Sequence, residues 1–264
     1  MSKTKIVYVD AFNIPGIDYE NKPPADYLDV KSPDTDVETR RAPDAFVHFV
    51  EQTYETELTA VLGAREAWKI EQEGDVDAIL FNCNAEPGVK AARELCDVLV
   101  MGPACAVMHV ASMLGRSFSY VICGREGDIH HAKDSILTAA QHYELSHKIA
   151  SIREIAVPPT GFNEALLSKT ELENLKKEAL SEAKKAINED GADVIIAYGG
   201  PELYDYLVKQ LHNLGVPIIS PIKTLHVVAE MLVRLGLTQS KKTYPKPRQI
   251  YDFKIEQTEV VSSR

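Results

Sequence analysis

Four cysteines, Cys83, Cys96, Cys105 and Cys123, fall in the first half of a 264-residue chain. A thiol can join a disulfide, hold a metal, or move protons and attack carbon as a thiolate. The opening MSKTKIVYVDAF enters a strand-like run at once with no apolar leader, so the expected compartment is the cytoplasm and the expected state is free thiols. Cys83 stands apart by its neighbours. It follows the apolar run 77–82 and precedes a helical pattern that starts at Gly88. The positive end of a helix lowers a thiol pKa from about 8.5 toward neutrality, which makes Cys83 the candidate catalytic thiol. Cys96 at a helix end, Cys105 after Pro103 and Cys123 at a strand end read as small packing residues. Cys123 also leads into Gly124-Arg125-Glu126-Gly127, a loop able to wall a cleft or bind an anion. Asp128, His130 and His131 resemble part of a metal site, but adjacent histidines project apart and no third ligand is spaced to join them. No metal is expected. His109 and His226 take matching helix positions and read as packing histidines.

The elements that must position Cys83 follow from the hydrophobic pattern. Short runs rich in Val and Ile alternate with helical segments, the signature of βαβ units around a parallel sheet. Strands are expected at 5–9, 78–81, 98–101, 119–123, 152–157, 194–197 and 218–219. Helices are expected at 56–73, 88–95, 106–114, 134–143 and 169–190, from 203 onward, and at 224–235. Pro15, Pro23, Pro24, Pro33 and Pro43, set among many aspartates, predict a loop of about 30 residues after the first strand, suited to act as a lid. The polar tail after Gly236 is expected to wrap the surface. Hydrophobic residues at 45% and charged residues at 26% describe an ordinary globular chain. The 29 Lys+Arg against 39 Asp+Glu give a net charge of −10 with no basic cluster, which argues against nucleic acid or an anionic membrane as partner.

The chain also repeats itself. Asp77-Ala-Ile-Leu-Phe-Asn82, followed by Cys83, lines up with Asp193-Val-Ile-Ile-Ala-Tyr198, followed by Gly199. Val98-Leu-Val-Met-Gly-Pro103 lines up with Val216-Pro-Ile-Ile-Ser-Pro221, and His109, Met113 and Gly115 answer His226, Met231 and Gly236. Two similar α/β lobes related by a pseudo-twofold are expected, with the site between the carboxyl ends of their strands. The expected first lobe is 1–117 with 222–264, and the second is 118–221.

The segment Cys83-Asn-Ala-Glu-Pro-Gly88-Val-Lys-Ala-Ala-Arg93-Glu94 resembles the hydantoin racemase branch of the aspartate/glutamate racemase superfamily. The resemblance extends through 108–121, Gly191-Ala-Asp-Val-Ile-Ile196 and Leu235-Gly-Leu-Thr-Gln-Ser-Lys241 with Tyr244. It implies two Rossmann-like (flavodoxin-like) lobes, a small-molecule substrate held between them, no cofactor, no metal and a homo-oligomer. It also implies two cysteines, one per lobe, that take and give a proton on opposite faces of the substrate's α-carbon. Cys83 matches the first. The second falls on Gly199, where the family's Gly-Cys-Ala-Gly is replaced by Tyr198-Gly199-Gly200-Pro201, and the N-terminal Asn-Pro-Asn-Thr becomes Asp10-Ala11-Phe12-Asn13.

The expected substrate-binding set is Asp10, Phe12, Asn13, Asn84, Ala85, Cys123, Gly124, Arg125, Tyr198, Gly199, Gly200 and Pro201. A glycine has no proton to give, so inversion needs a stand-in such as Tyr198, Glu202 or water. The first reading is a cofactor-independent racemase acting next to a carbonyl with Cys83 as its thiol. The alternatives are a one-thiol lyase, isomerase or hydrolase, resembling arylmalonate decarboxylases or maleate isomerases, and a ligand-binding protein without catalysis.

Overall fold

The computed structural model describes residues 3–11, 27–42, 45–48, 50, 52–125, 129–157 and 167–253, and only the backbone of residues 124, 125, 129–131, 156 and 157. Among the described residues, eight strands and seven α-helices form two similar lobes. The first sheet uses β1 (Thr4–Asp10), β2 (Thr35–Arg41), β3 (Ala78–Phe81) and β4 (Leu99–Met101), in the order β2-β1-β3-β4. The second uses β5 (Phe118–Arg125), β6 (Ile149–Val157), β7 (Val194–Tyr198) and β8 (Ile218–Ile219), in the order β6-β5-β7-β8. All pairs are parallel. The two orders are the same when β1 is set on β5 and β3 on β7, so the sequence repeat is also a repeat of topology.

The middles of the central strands are apolar because helices cover both faces of each sheet. On one face of the first sheet lie α1 (Thr53–Glu73) and α2 (Val89–Leu95), which enclose Val7, Val9, Ile79, Phe81 and Val100 with Ala67, Ile70 and Ala92. On the other lies α7 (Pro221–Arg234), whose Leu225 and Ala229 meet Ile6, Tyr8 and Leu80. In the second lobe α5 (Lys169–Asn188) and α6 (Pro201–Leu211) cover Val121, Ile195 and Ala197. The opposite face, with Tyr120, Ile122, Ile196 and Tyr198, meets α4 (Ile129–His142) and α3 (Pro103–Leu114).

Helix α3 serves both lobes. Its Ala106 lies in the core against Leu80 and α7, while Ala104, Val107, Met108 and Ala111 enter the core of the second sheet. That double duty explains why its sequence, PACAVMHVASML, lacks a charged face. Most of this helix is spent inside the chain. Met113 and Leu114, at its end, stay exposed.

The structure corrects the sequence reading in two places. Part of the expected long loop is strand β2, an edge strand whose polar sequence TDVETRR hides it. It is held by backbone pairing to β1, while Arg40 bonds Glu38 at 2.8 Å and Glu73 at 2.9 Å on the surface. Residues 12–26 of the expected lid lie outside the described residues. Helices α3, α6 and α7 also start earlier than their apolar periodicity suggests, because Pro103, Pro201 and Pro221 open them. A proline at the first helical position has no N–H to leave unpaired.

His226 is the expected packing histidine. Fully buried, it stacks on Tyr27 with ring centroids 4.5 Å apart, pairs with the Tyr8 hydroxyl at 3.0 Å and lies 3.3 Å from Glu230. The tail returns to the first lobe: Gln239 donates to the carbonyls of Cys96 and Val98 and accepts from the Val100 N–H, and Lys241 bonds the Cys96 carbonyl. Among the described residues no helix is long and apolar enough to cross a membrane.

The turn that carries Cys83 docks through Gly88. Its φ is +87°, and a Cβ there would lie 2.4 Å from the Ala60 carbonyl oxygen on α1. Gly88→Ala is expected to lower stability by about 2 kcal/mol or more, read as a lower urea midpoint at unchanged slope.

Candidate active site

Parallel strands deliver their last residues to one edge of a sheet. Asp10 ends β1, and Cys83 comes two residues after the end of β3, the neighbouring strand. The Asn82 N–H donates to the Val9 carbonyl at 3.3 Å and so extends the pairing to the site. The Asp10 carboxyl is 1% exposed and takes a hydrogen bond from the Asn82 side chain. Burial lifts its pKa to about 7, against the pull of Asn82 and the charge of Arg41. Its Oδ1 has no partner among the described residues.

Cys83 does not sit at the helix start that its sequence suggests. Helix α2 begins at Val89 behind the cap Gly88, and Cys83 instead opens a turn in which the Glu86 N–H donates to its carbonyl at 3.0 Å. Burial pushes the thiol up to about 11, the charges of Asp10 and Glu86 add to this, and the N–H groups of Ala85 and Glu86 only partly oppose it. The resting sulfur therefore holds its proton at neutral pH, where an exposed helix terminus would have favoured the thiolate. Asn84 is half-buried with its Oδ1 unpaired.

Glu86, which the sequence reading passed over, ties this turn to the rest of the molecule. Its carboxyl accepts from the Cys105 N–H at 2.8 Å, on the first turn of α3, and from the Tyr143 hydroxyl at 2.7 Å, in the second lobe. It fills the space above Gly102, where a Cβ would lie 2.5 Å from its side chain. Burial raises its pKa. Arg93 on α2 completes the link by reaching the Val100 carbonyl at 3.0 Å and the hydroxyls of Tyr143 at 3.4 Å and Tyr244 at 3.2 Å. The acidic residue three positions after Cys83 was visible in sequence; Tyr120 and Tyr143, in apolar strand and helix-end contexts, carried no signal.

From the second lobe, Tyr198 ends β7 and packs edge-on to Tyr120 with centroids 5.7 Å apart. Both hydroxyls are buried without a partner among the described residues. Burial holds the Tyr198 phenol far above its usual range, and the charges of Tyr120, Cys83 and Glu86 act in the same direction. Gly199 follows, then Gly200 at φ +56°, which caps α6, and Pro201 at its first position. A Cβ on Gly199 would lie 2.1 Å from the Leu203 side chain, so that direction is filled.

The structure thus gathers Asp10, Cys83, Asn84 and Ala85 at one edge, with Tyr198 electrostatically linked to them. Cys123 is not with them; it packs on the α5–α6 side of the second sheet. Cys96 is buried in the first core, its thiol pushed up to about 12 by burial. Cys105 lies 4.0 Å from His109 on α3. Gly124 and Arg125 end β5, the side chain of Arg125 being undescribed, and Phe12 and Asn13 lie outside the described residues. The side chains of His130 and His131 are likewise undescribed. Among the described residues no group of three or more His, Cys, Asp or Glu could hold a metal.

Comparison with known proteins adds to this geometry. A family model described as Asp/Glu/Hydantoin racemase matches residues 30–229. A hydantoin racemase of Paenarthrobacter aurescens is 30% identical over 199 residues, 75% of this chain and 79% of that protein. A hydantoin racemase of Pseudomonas sp. (strain NS671) is 31% identical, covering 74% of each. In three dimensions an allantoin racemase from Klebsiella pneumoniae superposes with a TM-score of 0.78 at 23% identity, over 94% of this chain and 95% of that one. That last likeness establishes the two-lobed fold.

The Asp10 carboxyl has a consequence for stability. It keeps its proton up to about pH 7 in the folded protein, against 3.8 for an ordinary aspartate, so between these values the folded state binds more protons and stability falls as pH rises. Asp10→Asn removes this slope. At about 1.4 kcal/mol per pH unit the variant is expected to gain up to about 4 kcal/mol at pH 8 and nothing near pH 3. Denaturant midpoints at the two pH values check it; a gain independent of pH would contradict it.

Proposed function

The chain belongs to the Asp/Glu/hydantoin racemase family, and on that premise we propose that it is an isomerase that inverts a carbon next to a carbonyl without a cofactor, using Cys83 as its thiol. The observation that carries this is the placement of Cys83 and a buried carboxyl, Asp10, at the carboxyl edge of the first sheet, near enough that the Asp10 charge raises the thiol's pKa. A thiol with a pKa of about 11 is a poor base alone. Beside it, a carboxyl titrating near 7 is half-ionised at neutral pH and can accept the thiol's proton as the sulfur takes one from carbon. Moving the charge between two adjacent buried groups avoids creating a second one.

The substrate class follows from charge. The described groups that act on Cys83 are the carboxyls of Asp10 and Glu86 and, from the second lobe, the phenol of Tyr198, with the Asn84 amide next to Cys83 in the chain. An acidic and neutral lining suits an uncharged ring imide with N–H donors, a 5-substituted hydantoin, better than a dicarboxylate. Phe12, Asn13, Gly124, Arg125, Gly200 and Pro201 complete the proposed binding set, and the proposed lobe limits are 1–117 with 222–264, and 118–221. A cytoplasmic homo-oligomer is the expected setting.

One-faced chemistry, such as decarboxylation with protonation by Cys83, is the second reading, favoured by the filled space at Gly199. The two are separated by incubating single enantiomers of a 5-substituted hydantoin in deuterated water. Racemisation with α-deuterium uptake supports the first reading; inert hydantoins with turnover of an arylmalonate support the second. Cys83→Ala is expected to lower exchange by about 100-fold or more. Exchange at the wild-type rate in that variant would remove Cys83 from the mechanism.

A further inference from the structure

The difficulty left by the second lobe is the proton on the face of the substrate away from Cys83. Side chains alternate along β7. Ile195 and Ala197 enter the α5–α6 core, while Ile196 and Tyr198 enter the core shared with α3. Tyr198 is thus the last side chain of β7 on the side that packs against α3, and the charges of Cys83 and Glu86 reach it. The next position offers nothing: Gly199 has no side chain, and the volume a Cβ would need is occupied by Leu203, itself fully buried. A thiol at residue 199 has no room unless the buried Leu203 side chain shifts.

The Tyr198 hydroxyl is itself unusual. The residue is 8% exposed and its oxygen has no hydrogen-bond partner among the described residues, and the neighbouring Tyr120 hydroxyl is in the same state. Buried hydroxyls without partners are costly and uncommon, and they mark positions where a ligand or water supplies the missing bond. The Asp10 Oδ1 and Asn84 Oδ1 are unpaired in the same way. Unpaired atoms therefore occur in both lobes, on Asp10 and Asn84 in the first and on Tyr120 and Tyr198 in the second.

We propose that the Tyr198 hydroxyl is the proton carrier on the substrate face opposite Cys83, standing in for the thiol that residue 199 cannot hold. The inference rests on the racemase reading above. In one direction, the Asp10 carboxylate takes the Cys83 S–H proton and the sulfur takes the substrate's α-hydrogen, leaving an enolate with its charge on the ring oxygen. The Tyr198 O–H bond then breaks and its proton forms the new C–H bond on the opposite face. The phenolate left behind is reprotonated by water, and Asp10 releases its proton to solvent, so every group returns to its starting state. A phenol held far above its usual pKa stays protonated until the enolate forms and gives up its proton less readily than an ordinary phenol, so the two half-reactions are unequal in mechanism.

Single enantiomers of 5-isopropylhydantoin in deuterated water, followed by polarimetry for inversion and by proton NMR for α-exchange, test this. Wild-type enzyme is expected to invert both. Tyr198→Phe is expected to lose inversion by about 100-fold or more while still exchanging the α-hydrogen of one enantiomer with retention, since Cys83 and Asp10 remain. That one-sided exchange also shows the variant to be folded. Adding Gly199→Cys to Tyr198→Phe is expected not to restore inversion. Inversion by Tyr198→Phe within threefold of wild type, equal loss of exchange for both enantiomers, or recovery on adding the cysteine would each overturn the proposal and leave the racemase reading standing. A wild-type enzyme that neither inverts nor exchanges the hydantoins overturns both.

Discussion

One short helix holds the two lobes in register. Helix α3 gives Ala106 to the first lobe and Ala104, Val107, Met108 and Ala111 to the second. Interiors pack as densely as organic crystals, so a helix wedged between two sheets fixes their separation to within the size of a methyl group. The small residues on α3 let both approach closely. Its first turn also holds the Cys105 N–H that Glu86 accepts, so the element that joins the lobes is the one that anchors the Cys83 turn. Site geometry and lobe geometry are set by the same contact.

Around that anchor the electrostatics are those of groups kept from water. Asp10 and Glu86 are carboxyls whose pKa values burial raises, and Cys83 and Tyr198 are acids that burial keeps protonated. Each holds a proton that an exposed group of its type would hold less tightly. A cluster of this kind resists ionisation one group at a time, and a shared proton moving between neighbours is its lowest-cost change. Arg93, held between the rings of Tyr143 and Tyr244, supplies the nearby positive charge that keeps the cluster from being wholly acidic. The tail that brings in Tyr244 is thereby part of the site's support.

A buried carboxyl with an unpaired oxygen and two phenols without partners are departures from the usual pairing of interior polar groups, and they gather where the two lobes meet. Buried polar atoms without a partner among the described residues also occur away from the site, at the Tyr27 and Thr39 hydroxyls, while other polar groups are paired: Arg153 meets Asp190 through two bonds of 2.7 Å, and Ser168 and Glu171 cap α5 reciprocally.

Much of the fold was legible in the sequence because it is written in local periodicity. The Val- and Ile-rich runs gave seven of the strands, and the match of Cys83 with Gly199 foretold two sheets of the same strand order. Strand β2 was not legible, since an edge strand with one exposed rim needs no apolar pattern and is held by backbone bonds that any residue can make. The cysteine of interest was legible by its neighbours in the chain, but its chemistry was not. A helix-start position implied a lowered pKa, whereas the fold buries the sulfur ahead of the helix beside Asp10, and burial outweighs two N–H bonds. The absent second thiol could be read from the letters at 198–201. Only the tertiary structure decided that Leu203 fills its place and that the Tyr198 phenol lies on the side of its sheet that packs against α3, because which atoms meet across two lobes depends on packing between residues far apart in the chain.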